Sequence, residues 1–414
     1  MACTIPGLDA ILVNVAWSTS PLSATPDYQN VAYPEGEGKF HGCSINRGRS
    51  YEAERFSAGT MELKALDFDR DFETAFSGSP YYPDIKPRRK IQFIAVRDGI
   101  EYPRFTGFTR KILNRYDQFG MNPRTVLPAT DGFLALSKKR ITGSFATEES
   151  SGTRIANILD AVGWPGSGLT TANHRALDAG NFSIQSQDLD DTSALEAIYH
   201  VELSEWGRFF IAASGAATFL ESRAFHLNST YRAVQDTFGD SPAGAELYYE
   251  DISFALDDER IHNRVTASRV GGVTQEAADE ASIEEYFETV EPVPELLLLT
   301  DNEAFDYAHY RLGRESQPQV RVEPIRVNPL SDPENLWPVC LADNLQRRFR
   351  VVKRPRAGGP QREVEVHIEG IQDEWDFQAG TAYFTFQMSI SDPSTPWIVE
   401  APGVQLGINT YYGR

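Results

Sequence analysis

The sequence predicts a mainly β protein with α+β content: two related β-barrel domains and a small two-helix α+β domain. Three observations carry that prediction. A strand–turn–strand pattern with a glycine kink occurs near the end of each half of the chain. Apolar residues alternate through most of the flanking segments, and helical apolar spacing is concentrated between them. The first copy runs through Arg88-Arg-Lys-Ile-Gln-Phe93, Phe105-Thr-Gly-Phe108 and Asp117-Gln-Phe-Gly120 and closes at Asp131. The second runs through Arg347-Arg-Phe-Arg-Val-Val352, Ile368-Glu-Gly-Ile371 and Asp376-Phe-Gln-Ala-Gly380 and closes at Asp392.

Within residues 1–145, the first barrel domain, Ile11, Val13, Val15 and Trp17 alternate with other residues, as a half-buried strand does. Residues 18–42 are rich in Ser, Pro, Tyr and Gly and predict a loop. Met61, Leu63 and Ala65 share one strand face, with Glu62 and Lys64 on the other. Pro80, Pro83 and Pro87 exclude helix from the connector that follows.

Residues 146–230 form the small α+β domain. Ile155, Ile158, Leu159 and Val162 make one helical stripe, with Thr153 as the expected N-cap and Gly163 and Pro165 as the stop. Residues 180–185 predict a short strand. Asp191 or Thr192 is expected to cap a second helix over 193–205, and residues 206–221 read as a hairpin around Ser214-Gly215.

Residues 231–395 form the second barrel domain, with an acidic stretch, Glu276 to Glu295, and one helix over 301–312. Ala304, Tyr307, Ala308 and Arg311 lie on one face of that helix, and Asp301 suits its N-terminus. Residues 319–327 and 363–369 alternate apolar with polar, and Phe384, Phe386, Met388 and Ile390 mark the closing strand. Residues 396–414 are a C-terminal extension, expected to be tied down by a partner.

Composition narrows the function. The 414 residues exceed one ordinary core, and 41% hydrophobic with 24% charged content describes a globular chain. Cys3, Cys43 and Cys340 have no C-x-x-C spacing, which argues against a disulfide scaffold or a cysteine-ligated metal. No signal peptide and no bilayer-length apolar run is visible, so no stable membrane insertion is expected. A net charge of −20 repels phosphate backbones and disfavours general nucleic-acid binding. The same charge suits the lining of a conduit in which DNA slides.

A search for chemistry returns no catalytic, cofactor-binding or metal-binding residue. Nucleophile-elbow, P-loop, dinucleotide-binding and H-E-x-x-H patterns are missing. Gly163-Trp-Pro-Gly-Ser-Gly168 lacks a lysine and reads as a helix-terminating loop. Asp67-Phe-Asp-Arg-Asp-Phe-Glu73 opens like a calcium loop but lacks the central glycine and the closing glutamate, so it reads as a strand end with its acids outward. The histidines are scattered. Arg347, Arg348, Arg350, Lys353, Arg354 and Arg356 form one basic island, read first as a solvated face and second as a contact for the acidic stretch of a neighbouring copy.

Taken in order, Ser44-Ile-Asn-Arg-Gly-Arg49, Ala58-Gly-Thr60, Phe76-Ser-Gly-Ser-Pro-Tyr-Tyr-Pro83, Lys86-Pro-Arg88 and Phe105-Thr-Gly-Phe108 resemble minor tail proteins of long-tailed bacteriophages, especially the actinobacteriophage type. Leu177-Asp-Ala-Gly180, Asn263-Arg-Val265 with Gly271-Gly272, and Ile368-Glu-Gly-Ile371 extend the resemblance to most of residues 10–390. It implies a baseplate hub of the siphophage tail tip, a non-enzymatic virion protein assembled in the host bacterial cytoplasm. Two tube-type barrels per chain would form a homotrimer that continues a six-fold tail tube. Its expected partners are a distal tail protein ring above, tape measure protein in the lumen and fibre or spike proteins below. DNA would pass during ejection without specific binding. Two alternatives stand beside this one: a hexameric distal tail ring, and a glycan-binding or cell-wall-degrading tail protein using an exposed tryptophan such as Trp337 or Trp397.

Overall fold

The computed structural model describes residues 5–391 except 33–38, 51–54, 119–122, 147, 242–245, 257, 259 and 343–344, together with two short strands, Thr395–Trp397 and Thr410–Tyr412. Those two strands pair in parallel. The rest of the expected extension and the turn ending at Gly120 lie outside the described residues. Strand accounts for 41% of the chain and helix for 20%, which makes the protein mainly β as the alternation predicts.

The repeated pattern corresponds to hairpins. In the first copy Lys90–Arg97 pairs with Ile100–Thr109, and the chain returns through Leu113–Arg115 to the strand Arg124–Thr130. In the second, Arg348–Lys353 pairs with Arg362–Asp376, which pairs in turn with Thr381–Ile390. The two copies do not close into separate barrels. Arg362–Asp376 reaches across to Phe40–Gly48 and bonds residues 370–376 to residues 48–42, so one open sheet runs through both copies. The edge that closure of the second module would need is used by that cross-pairing.

Glycine makes the seam possible. Gly370 faces Gly48 across it, and Gly48 has φ +100°. A Cβ on Gly48 would sit 2.2 Å from the Glu369 carbonyl oxygen, and one on Gly370 would sit 2.6 Å from that of Arg49. No side chain fits either gap.

The two predicted helices of the middle segment are Ser151–Ala161 and Ala194–Glu205. The first starts earlier than the stripe predicts, with Ser150 as N-cap in place of Thr153. Gly152 permits this: a Cβ there would lie 1.9 Å from the Asp178 carbonyl oxygen. The second is capped by Ser193, not by Asp191 or Thr192, because the strand Gln187–Ser193 stays paired to Arg140–Phe145 through Ser193. The hairpin Arg208–Ile211 and Ala217–Leu220 falls where expected. Helix Asp301–Glu315 buries Ala304, Tyr307, Ala308 and Arg311, the predicted face, and its N-cap is Thr300 in a capping box with Glu303.

One hydrophobic cluster joins residues of both copies and of the middle segment, from Val13 and Leu63 through Ile158 and Val201 to Ile371 and Phe384. A second, smaller cluster (Val265, Ala267, Val293, Leu296 and the buried face of helix Asp301–Glu315) lies apart from it.

Candidate functional site

Seven strands make a wall across the seam. In order they are Leu113–Arg115, Arg124–Thr130, Ser57–Leu66, Phe40–Gly48, Arg362–Asp376, Thr381–Ile390 and Ile325–Val327. Period-2 alternation gives the wall two faces. Met61, Leu63, Leu127, Ile371, Trp375 and Phe384 include the core side, and all are nearly or fully buried. Glu62, Lys64, Arg124, Glu374, Asp376 and Tyr383 are among the residues of the opposite side, which bounds an open trough of about 880 Å³.

The lining of this trough is mixed in charge. Lys64, Lys111, Arg115, Arg124 and Arg326 face Glu62, Glu374 and Asp376. Five cations against three anions reverse the sign expected from a net charge of −20. Burial, then Arg124 and Lys64, holds the His41 imidazole below its usual pKa. The acidic lining expected of a conduit is therefore not found on this face.

Beneath the wall, buried charges tie the two copies together. The Arg104 guanidinium donates to both carboxylate oxygens of Asp373 at 2.9 and 3.0 Å, and to the Leu341 and Ala342 carbonyls at 2.7 and 3.1 Å. Arg104 and Asp373 are essentially inaccessible to solvent. Arg49 and Gln346 each donate to Glu369 Oε2 at 2.7 Å, beside the glycine seam. Glu202 and Asp131 lie under the same junction, and burial pushes each carboxyl up to about 7. Phe209 N–H donates to Glu202 at 2.9 Å, and the Gly59 and Phe133 N–H groups donate to Asp131 at 2.7 and 3.0 Å. None of these carboxylates lines the trough, and each is bonded to groups of the surrounding fold.

Several residues singled out in the sequence take structural places. Asp67 and Asp71 turn inward, against the expectation of outward acids: Asp67 accepts from the Asp71 and Phe72 N–H groups and from Thr125, while Asp71 pairs with Lys39. Phe72 is the buried ring and Phe68 the exposed one. Trp337 is fully buried, its indole N–H donating to Pro6 O at 3.2 Å, so it offers no sugar-stacking platform. The Trp397 side chain lies outside the described residues. Four of the six cations in the basic island are paired within the chain. Arg348 and Arg350 pair with Glu365, and Lys353 and Arg354 with Asp240. Arg354 also reaches Glu246. The acidic stretch is likewise engaged in part, with Glu276 and Glu288 on Arg264 and Glu291 on Arg311. Among the described residues no group of three or more His, Cys, Asp or Glu is placed to hold a metal ion. No helix among them is long and apolar enough to cross a membrane.

Comparison with solved structures places this open, two-copy sheet. A tail protein from Neisseria meningitidis MC58 superposes over 92% of this chain and 96% of its own, with a TM-score of 0.57 at 10% identity. The 43 kDa tail protein of prophage MuSo2 from Shewanella oneidensis gives 0.56 at 13% identity over 92% and 98%. The chain has the fold of phage tail proteins. A Francisella PdpA–VgrG complex contains a chain with a TM-score of 0.50 at 8% identity, matched over 95% of this chain and 54% of that one. No family model and no curated protein matches the sequence.

Proposed function

We propose that this chain is a non-catalytic hub subunit of a phage tail tip, three copies of which form a ring around a channel. The seven-strand wall is the observation that carries this: both copies of the repeat contribute to one continuous sheet with a polar trough on its outer face. In this reading residues 1–145 and 231–395 are the two tube-type domains, residues 146–230 brace them from behind, and 396–414 binds a neighbouring protein. Barrel closure is supplied by assembly, with neighbouring copies continuing the wall. Three walls make about 21 strands. At about 4.8 Å per strand and a tilt near 40°, they give a backbone diameter of roughly 42 Å and a bore of roughly 30 Å once side chains are allowed for. A B-form duplex, roughly 20 Å across, passes such a bore.

The ring would sit between a distal tail protein ring and the fibre or spike, in the virion tail tip after assembly in the host bacterial cytoplasm. Tape measure protein and then DNA would traverse it. With a mixed rather than acidic lining, Glu62, Glu374 and Asp376 would offset part of the charge of the five cations, leaving a net attraction for passing DNA. Negative-stain class averages of the purified protein, with its mass from light scattering, test the proposal. Three-fold particles with a central channel are expected. A monomer at tens of micromolar, or a closed particle without a channel, refutes it.

A further inference from the structure

A small cavity lies where the first module meets the middle segment, away from the trough. Lys90, Thr106 and Phe108 line it from the sheet, and Trp164, His174 and Gly215 from the middle segment. Strand pairing explains the first group. In the hairpin of Lys90–Arg97 with Ile100–Thr109, Lys90 lies opposite Phe108 and Gln92 opposite Thr106. Period-2 alternation puts these four on one face, with Ile91 and Phe93 buried on the core side. Lys90 and Thr106 are thus diagonal neighbours. In the second group, Trp164 belongs to the glycine-rich loop 163–168, which has no lysine of its own. Here a lysine reaches the same cavity from the facing sheet.

The polar chemistry of this space is one-sided. Thr106 is 3% exposed, and its Oγ1 has no hydrogen-bond partner among the described residues. The Gly215 turn, with φ +90°, packs against it: a Cβ there would lie 2.7 Å from Thr106 Cγ2 and 3.8 Å from Oγ1. Burial pushes the Lys90 ammonium below the ordinary lysine value, and no carboxylate among the described residues draws it back. Burial, then the Lys90 charge, also holds the His174 imidazole below its usual value, while a bond to the Ala24 backbone favours its protonated form. No carboxylate lines the cavity among the described residues. An ammonium, an imidazole and an orphaned hydroxyl face one space with nothing negative between them. Its volume of about 20 Å³ admits one water or one ion of similar size, since a single water needs about 10–15 Å³.

We propose that this cavity binds one small monovalent anion of halide size, with the Lys90 ammonium and the Thr106 hydroxyl as donors and His174 beside them. A buried hydroxyl without an acceptor and a half-buried ammonium without a counter-ion both cost free energy, and one anion offsets both costs. Water would satisfy the hydroxyl and leave the charge of Lys90 uncompensated. Sulfate, phosphate and organic carboxylates exceed the space. Because the donors come from the sheet and the far wall from the middle segment, the bound anion would hold the two together. The site works the same in a single copy as in a ring.

Scanning calorimetry of the full chain at fixed ionic strength tests this, with sodium gluconate, whose anion is too bulky to enter, exchanged stepwise for sodium chloride or bromide. Halide at about thirty times its dissociation constant multiplies the folded-to-unfolded ratio about thirty-fold. For a chain of this length that is a saturating rise of about 2–3 °C in melting temperature. Lys90→Met and Thr106→Val are each expected to abolish most of the rise, and Thr106→Ser to keep it. Thr106→Val deletes a hydroxyl that has no partner, so it is expected to fold as wild type does and to decide the matter even where Lys90→Met does not fold. Line broadening of the chloride NMR signal gives a second readout: wild type is expected to broaden it, bromide to reverse the effect, and Thr106→Val to lack it. Wild-type melting indifferent to the exchange means a cavity holding only water and overturns the proposal. A rise of equal size in wild type and Thr106→Val is a general salt effect and overturns it too.

Discussion

Replacing Arg104 by Met should be among the most damaging single changes in the chain. The guanidinium is fully buried and makes four hydrogen bonds, two to Asp373 of the second copy and two to carbonyls at the end of helix Pro333–Leu341. Its removal leaves Asp373 charged and buried, with the Leu341 and Ala342 carbonyls short of a donor. Breaking a buried pair from one side costs about 3–5 kcal/mol, and about 4 is taken here. With an unfolding entropy of about 2.1 cal/mol/K per residue, 414 residues give roughly 0.9 kcal/mol/K, so the melting temperature should fall by about 5 °C. Asp373→Leu should cost a similar amount. The double variant, with both charges gone and apolar volume in their place, should lie within about 1 kcal/mol of wild type. Differential scanning calorimetry of the four proteins closes the cycle. Single variants that melt within about a degree of wild type, or a double variant that loses the sum of the two, would refute this coupling.

Glu202 supplies a pH prediction. Its folded-state pKa is pushed from 4.5 up to about 7 by burial, so its stabilising protonated form is fully present below pH 4.5 and is lost as pH rises through 7. Glu202→Gln should therefore leave the melting temperature unchanged near pH 4.5 and raise it by about 3–4 °C at pH 8, as read by scanning calorimetry at both values. Thr300→Ala removes the capping box of helix Asp301–Glu315 and should cost about 1 kcal/mol, seen as faster amide exchange in that helix's first turn. Gly48→Ala forces a side chain against the Glu369 backbone at positive φ and should cost about 3 kcal/mol, measured by denaturant unfolding. Arg350→Ala and Arg354→Ala should leave the oligomeric state by light scattering unchanged, because both side chains are paired within the chain.

Much of the fold could be read from residue spacing. Met61, Leu63 and Ala65 are buried, and Glu62 on the other face is exposed, because a strand with one face on the core must alternate. Helix Asp301–Glu315 buries the four residues its spacing marks. The trough was harder to see, because its lining comes from strands far apart in sequence, and local alternation says which face is polar without saying which strands adjoin. Asp373 shares parity with Ile371 and Trp375, so its inward direction was legible in principle. Arg104 was not. It sits at a bulge, where Phe93 pairs with Phe105 and Ile94 with Pro103, and the extra residue breaks the parity on which any such inference depends. The pairing of Arg354 within the chain was hidden for a different reason: Asp240 and Glu246 lie more than a hundred residues from it.

The unequal glycine spacing of the two copies follows from the different places they occupy. In the first copy the strand after the glycine breaks, giving Ile100–Thr109 and then Leu113–Arg115, and the second piece ends the wall. In the second copy Arg362–Asp376 runs unbroken, because it sits at the middle of the wall and must serve two partners along one edge. Arg348–Lys353 bonds its first part and Phe40–Gly48 its last. The handover falls at Ile368 and Glu369, whose carbonyls accept from the Gln346 and Arg49 N–H groups at 2.7 and 2.9 Å. Two partners can meet there only if neither backbone carries a side chain into the gap, hence Gly370 opposite Gly48. Gly107 answers a different demand: a Cβ there would lie 2.5 Å from the Thr130 carbonyl oxygen, within one module. The glycines thus mark close backbone approach in both copies, but only the second joins the modules. A duplicated motif used once at an edge and once at a centre cannot keep equal spacing, and the inequality records which copy holds the seam.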